Sequence, residues 1–240
     1  MITVTEIIAN IFKGYYMTYL MKMKRLVFIL LTFAVVAAGC KKDPPEEQKT
    51  ITDIDGNVYN IIKIGDQEWL DRNLEVTHYR NGDAIPNSFG TPGNEGGWIN
   101  YNNDPAIGEV YGKLYNSQAV HDARGLAPEG WHVATRQEWL DMVTLLGGFS
   151  IAGGKLKEIG TEHWNFPNAD ASDEYGFKAL GGGYASGSSS YLKTYAGFWT
   201  STIVAESPTG TYMFYLYADN ATVEEDWSTP MGFSVRCVRD

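Results

Sequence analysis

Cysteine is nearly absent from this 240-residue chain, which holds only Cys40 and Cys237. Two thiols cannot build a disulfide framework or a cysteine-rich metal site. A basic surplus is missing as well: 29 Asp+Glu outweigh 19 Lys+Arg, leaving a formal charge of -10. Neutralising a phosphate backbone requires clustered cations, so nucleic acid is excluded as a partner. No G-x-G-x-x-G loop, P-loop or G-x-S-x-G elbow occurs; GGGY at 181–184 and ASGSSSY at 185–191 lack the spacing and the flanking elements. His78, His121, His132 and His163 show no i,i+4 or short Cys/His ligand spacing. Aromatic residues, by contrast, are abundant, with 7 Trp, 15 Tyr and 10 Phe beside 26 Gly. That mixture excludes a disordered chain and a plain helical bundle.

Long hydrophobic runs are also scarce, and the clearest one extends from Leu26 to Gly39. Lys22, Lys24 and Arg25 precede it and Ala37, Ala38 and Gly39 close it, the layout of a secretory signal. The run is shorter than the roughly 20 apolar residues of a spanning helix. Ala37-Ala38-Gly39-Cys40 resembles the lipobox of bacterial lipoproteins, with Ala37 where Leu is usual. The resemblance implies a lipidated Cys40, a bilayer partner reached through N-terminal acyl groups, and a lipid-anchored outer-membrane location, periplasmic or surface-exposed. The following KKDPPEEQKT reads as a solvated tether and resembles the surface-export signals of Bacteroidota lipoproteins. Met21 and Met23 lie where such a signal begins. The expected organisation is therefore a start-site overhang at 1–20, a signal peptide at 21–39, a lipidated Cys40 with its tether at 40–50, and one domain at 51–240.

Within 51–240, turns at Asp55-Gly56-Asn57 and Gly65-Asp66 separate β-branched runs, which predicts two successive hairpins. Residues 77–112 are rich in Gly, Asn, Pro and Asp and read as a long irregular loop, of the kind that carries binding surfaces or merely decorates a scaffold. A short helix is expected over Leu114 to His121 and a weaker one over Gly154 to Ile159. Thr135 with Glu138 three residues on forms a capping box for a helix to Leu146, where Gly147-Gly148 stops it. Strands are expected around Phe177–Ala179, Phe198–Ser201, Thr211–Tyr217 and Phe233–Val238. YMFYLY is aromatic or apolar on both faces, the pattern of a central strand. In SVRCVR, alternation points Val235 and Cys237 inward and leaves Arg236 and Arg239 to reach solvent or acids.

Several blocks occur in a characteristic order: DIDGNVYNIIKIGDQEWLDRNL, GKLYNSQAV, LAPEGWHVATRQEWLDMV, GGKLKEIG, YGFKALGGGY, FWTST and GFSVRCVRD. Together they resemble the Fibrobacter succinogenes major paralogous domain, a family of secreted and lipid-anchored bacterial proteins. They are also distantly similar to the formylglycine-generating-enzyme type of C-type-lectin-like domain, through the Trp131–Trp139 block and the close from Gly232 to Arg239. That similarity implies an α+β, C-type-lectin-like fold: a small irregular antiparallel sheet packed with one or two short helices beneath long loops. The oxidase chemistry of that superfamily needs a pair of nearby cysteines and is not carried over. Cys237, on an apolar strand, reads as a small hydrophobe.

Metal chemistry has thin support. Asp53, Asp55 and Asn57 alternate oxygens as a calcium loop does, but Val58 and Ile64 stand where Gly and Glu are required. A turn held by Asp and Asn side chains is the plainer reading. Glu224, Glu225 and Asp226 beside Trp227 are a better place for a cation such as calcium or for a sugar, although even there an ordinary solvated loop is the plainer reading. Trp98, Tyr101, Trp164 and Trp227 lie in polar surroundings, where aromatic faces stack on sugar rings, anchor partners or tuck into the core. They are the binding candidates, and no catalytic residue is assigned. The expected function is a non-catalytic envelope module that binds glycan or protein through its loops. One alternative is an envelope polysaccharide hydrolase using paired carboxylates among Asp170, Asp173, Glu174 and the 224–226 acids. The other is a structural or assembly lipoprotein.

Overall fold

The computed structural model describes residues 4–36, 49–89 and 95–240, with backbone alone at 7, 9–11 and 26–36. The chain divides into two compact units, residues 1–47 and 48–240, each taken by itself. The first holds one helix, α1 (Val4–Val36), which runs unbroken through Met21 and Met23. Glu6, Lys13, Lys22, Lys24 and Arg25 interrupt its apolar character. Among the described residues, no helix is long and apolar enough to cross a membrane. The expected bilayer partner and lipid-anchored outer-membrane location are corrected accordingly, since no described element carries them. Cys40 and tether residues 41–48 lie outside the described residues.

The second unit opens with β1 (Thr50–Thr52), β2 (Val58–Ile64) and β3 (Gln67–Leu70), the two hairpins expected at Asp55-Gly56 and Gly65-Asp66. The segment read as irregular loop forms β4 (Trp98–Ile99), a 3-10 turn at Tyr101–Asn103 and α2 (Pro105–Tyr111). Asp104 caps α2 by accepting from the Ala106 amide, and Pro105 occupies its first turn. The helix expected over 114–121 splits into β5 (Leu114–Asn116) and α3 (Ser117–His121), because the Asn116 side chain accepts from the Ala119 amide and starts the helix late. After β6 (Trp131–Val133) comes α4 (Arg136–Leu145), with both arms of the Thr135–Glu138 capping box made. α5 (Phe149–Leu156) begins five residues earlier than the sequence suggested. Then follow β7 (Tyr184–Ser186), β8 (Ser188–Ser190), β9 (Tyr195–Val204), β10 (Ser207–Tyr217), β11 (Val223–Ser228), β12 (Gly232–Val235) and β13 (Cys237–Arg239). Phe177–Ala179 is not a strand; Ala179 makes an isolated bridge to Lys157.

The C-type-lectin-like expectation is overturned. The described residues hold six helical segments rather than one or two, and two sheets, ordered β1-β2-β3-β13-β6 and β11-β10-β9-β12-β5-β4. The larger sheet is mixed, because β12 lies parallel to β9 through Ser234↔Phe198 and Val235↔Trp199. That pairing brings Phe233 edge-on to Trp199 at 4.7 Å.

Alternation along β9 and β10 gives the larger sheet two unlike faces. Phe198 and Phe214 are cross-strand partners on the face covered by α4 and α5. There Trp139 stacks on Phe214 at 5.1 Å, with Phe177 and Trp69 closing the cluster edge-on. Trp199 and Met213 point to the opposite face, into a second core with Tyr115, Val235 and Cys237. Burial raises the Cys237 thiol well above its ordinary value, consistent with packing rather than reactivity.

Arg236 departs from the sequence reading. Its side chain is fully buried, donating to Asn73 Oδ1 at 2.7 Å and to the Leu70 and Lys178 carbonyls, with Phe177 4.2 Å from the guanidinium. Burial lowers its pKa to about 9. It stitches the junction between β12 and β13 to the 70–73 and 178 segments, whereas Arg239 does reach an acid, Glu68, at 2.6 Å.

Candidate functional site

Beyond Met213, the second face of β10 continues as Tyr215 and Tyr217, spaced two apart with Phe214 and Leu216 pointing the other way. Tyr195 of β9 is the register partner of Tyr217, while Tyr215 faces Gly197. A Cβ at Gly197 would lie 2.4 Å from the Phe233 ring and 2.8 Å from that of Tyr195, so the missing side chain makes room for both rings. Tyr184 enters from β7. The rings form one continuous array: Tyr195 stacks on Tyr215 at 5.4 Å, meets Tyr217 edge-on at 5.3 Å and Tyr184 edge-on at 5.6 Å. Tyr191 stacks on Tyr184 at 5.7 Å.

These tyrosines wall a surface cavity of about 310 Å³, with Met213, Met231 and Phe233 also lining it and Asp226, Trp227 and Ser228 at one side. A cavity of that size suits a single ring of a small ligand. Two other concavities, of about 240 and 360 Å³, offer no converging aromatic wall. In the larger of these, His121 Nε2 is already engaged with Thr211 Oγ1 at 2.9 Å.

Tyr191 is 57% exposed and adopts φ +64°, a left-handed conformation disfavoured for a bulky side chain. Its carbonyl accepts from the Thr194 and Tyr195 amides, fixing the bend. From below, Tyr101 Oη accepts from the Leu192 amide at 3.3 Å and Ser189 Oγ accepts from the Asn102 amide at 2.8 Å. The 3-10 turn in the supposed loop thus supports the rim of the cup. Strained residues held by their surroundings cluster at ligand sites.

Electrostatically the cup is one-sided. Tyr215 Oη donates to Glu224 at 2.8 Å, and burial followed by that bond raises the Tyr215 phenol. Burial raises the Tyr195 and Tyr217 phenols too, so all three stay protonated at neutral pH. Asp226 is the one carboxylate among the lining residues, and Lys, Arg and His are absent from them.

The sequence candidates fare unequally. Trp227 is 49% exposed at the cup's edge, although its strand register sets it opposite Tyr212, on the other face. Trp98 is half-buried, its indole N–H donating to the Ile85 carbonyl at 3.0 Å, with Lys113 Nζ 5.0 Å from its ring. Tyr101 is buried and acts as a support. Trp164 is fully buried, bonded to the Ala179 carbonyl at 2.8 Å beneath Lys157, and is closed to any ligand. Tyr184, Tyr191, Tyr195, Tyr215 and Tyr217 were missed, although the period-two tyrosines of YMFYLY were visible.

No group of three or more His, Cys, Asp or Glu among the described residues could hold a metal ion. Asp53 instead accepts from the Asp55 and Asn57 amides, Asn57 Nδ2 and Tyr59 Oη. Asp55 accepts from the Thr77 amide and hydroxyl and pairs with His78 Nδ1 at 2.6 Å. The strand pleat divides the 224–226 acids: Glu225, in register with Phe214, pairs with Arg136, while Glu224 and Asp226 are in register with Tyr215 and Met213. Of the acids weighed for hydrolysis, Asp173 accepts from the Lys178 amide and Glu174 pairs with Lys155 at 3.1 Å. Neither they nor Asp170 line the cup.

The fold and the cavity define a mixed-sheet domain with an aromatic cup at one end of its larger sheet. The chain belongs to the Fibrobacter succinogenes major domain family, whose model matches residues 62–239. That description gives no support to a Bacteroidota source, and this attribution is withdrawn with the lipoprotein reading. No curated protein and no solved structure matches the chain.

Proposed function

We propose that this domain is a non-catalytic binding module that holds a sugar ring of a glycan in the tyrosine cup. The supporting observation is the convergence of five tyrosines, drawn from three segments of chain, on one cavity of about 310 Å³. Aromatic faces supply the flat apolar contact that a sugar's C–H face requires, and phenolic hydroxyls supply hydrogen bonds at the ring edges. Hydrolysis of a glycosidic bond uses two carboxylates about 5–9.5 Å apart. A lining with the single carboxylate Asp226 favours holding over cleaving. The test is titration of the full chain with a panel of oligosaccharides, followed by tryptophan and tyrosine fluorescence. Saturable binding that Tyr217→Ala weakens about tenfold supports the reading. No binding across the panel, or equal binding by the variant, overturns it.

A further inference from the structure

The lining of the cup narrows the ligand class, resting on the glycan reading above. Cations are attracted to aromatic faces, most strongly where several rings surround them out of bulk water. Here Tyr184, Tyr195, Tyr215 and Tyr217 meet at mutual angles from 26° to 85°, so that faces and edges converge from several directions. Tyr215 donates its hydroxyl proton toward Glu224, which shifts electron density into the ring and makes its face a better partner for positive charge. Asp226 stands exposed at the open side, its Oδ1 accepting from the neighbouring Trp227 amide at 2.8 Å. No Lys, Arg or His lines the cavity to repel a cation.

We infer that the cup takes a cationic sugar: a glycan unit bearing a free, protonated amine, seated against the tyrosine faces with its ammonium toward Asp226. A neutral sugar would use the same walls but leave the acidic side unanswered. An anionic sugar would meet π faces and a carboxylate, with no lining cation to receive it.

The test titrates the full chain with a β-linked glucosamine oligosaccharide and with its N-acetylated counterpart of equal length, at a pH where the free amines are protonated. The amine form is expected to bind about tenfold more tightly, a preference that falls with added salt. Asp226→Asn is expected to remove most of that preference by weakening the amine form about tenfold more than it weakens the acetylated oligomer. The substitution is at an exposed site, so folding is not at issue. Equal affinity for the two oligomers overturns the cationic assignment and leaves the glycan reading standing. Binding of neither overturns the cationic assignment, and the glycan reading then falls only if the wider oligosaccharide panel also fails to bind. A preference that survives Asp226→Asn also overturns the proposal as stated.

Discussion

The two faces of the larger sheet are built by the same strands and yet differ in kind. On one, Phe198 and Phe214 lie under Trp139 with no exposed surface. On the other, positions displaced by a single residue carry Tyr195, Tyr215 and Tyr217 around an open cavity. Both faces are aromatic, so hydrophobicity does not separate them. The hydroxyl does: each phenol keeps a polar atom that must find water, a ligand or a neighbour such as Glu224. The phenyl and indole rings of the covered face do their work by excluding water. Aromatic residues thus form a closed core and the wall of an open cavity within one strand, with the pleat deciding which.

The strongest way to break this division is to truncate across it. Trp139→Ala on the covered face is expected to lower stability by ~3–5 kcal/mol, the usual cost of deleting a buried large aromatic side chain. Chemical denaturation would read it as a lower midpoint with an unchanged slope. Tyr217→Ala on the open face is expected to cost about tenfold in ligand affinity, about 1.4 kcal/mol, with a much smaller loss of stability than Trp139→Ala. If the two variants were equally unstable, the faces would not differ as described.

The clamp beside the covered face sharpens the contrast through pH. His132 Nε2 bonds Glu138 of α4 at 2.9 Å and its Nδ1 bonds Asp240 at 2.8 Å. The Glu138 bond, opposed by burial, raises the His132 pKa to about 9 from an ordinary 6.5. A raised folded-state value means this stabilisation is complete below pH 6.5 and is lost as pH climbs through about 9. Partial exposure screens the pair, so the effect is on the order of 1 kcal/mol. Thermal melts of the chain and of His132→Gln should converge at high pH, while ligand affinity should be insensitive to the substitution. Trp227→Ala carries the smallest expected effect, about a twofold loss of affinity, because its register sets it on the face opposite the tyrosines. A loss exceeding that of Tyr217→Ala would move the site's centre to the rim.

Local features were legible in the sequence because their causes are local. Thr135 and Glu138 are three apart, and the Asp55-Gly56 and Gly65-Asp66 turns lie between β-branched runs; all formed as expected. The cup was not legible as a site, because it depends on register: Tyr217 meets Tyr195 across 21 intervening positions, and β12 must return in parallel beside β9 to deliver Phe233. Trp164 misled for the same reason. Its polar neighbours in sequence are not its neighbours in space, where Phe177 and Leu156 share its core. Arg236 read as a solvent-reaching alternate because nothing in a single strand announces the Asn73 side chain and carbonyls that receive it. The C-type-lectin-like expectation failed where short blocks around α4 stood in for the topology of the whole sheet.

The central claim is that the open face binds and the covered face only packs. It is tested most directly by measuring oligosaccharide affinity and unfolding free energy together for Tyr217→Phe and Tyr217→Ala in the full chain. The expected result is near-parental stability for Tyr217→Phe, with affinity reduced in the order parent, Tyr217→Phe, Tyr217→Ala. Affinity that is the same in all three proteins would contradict the account.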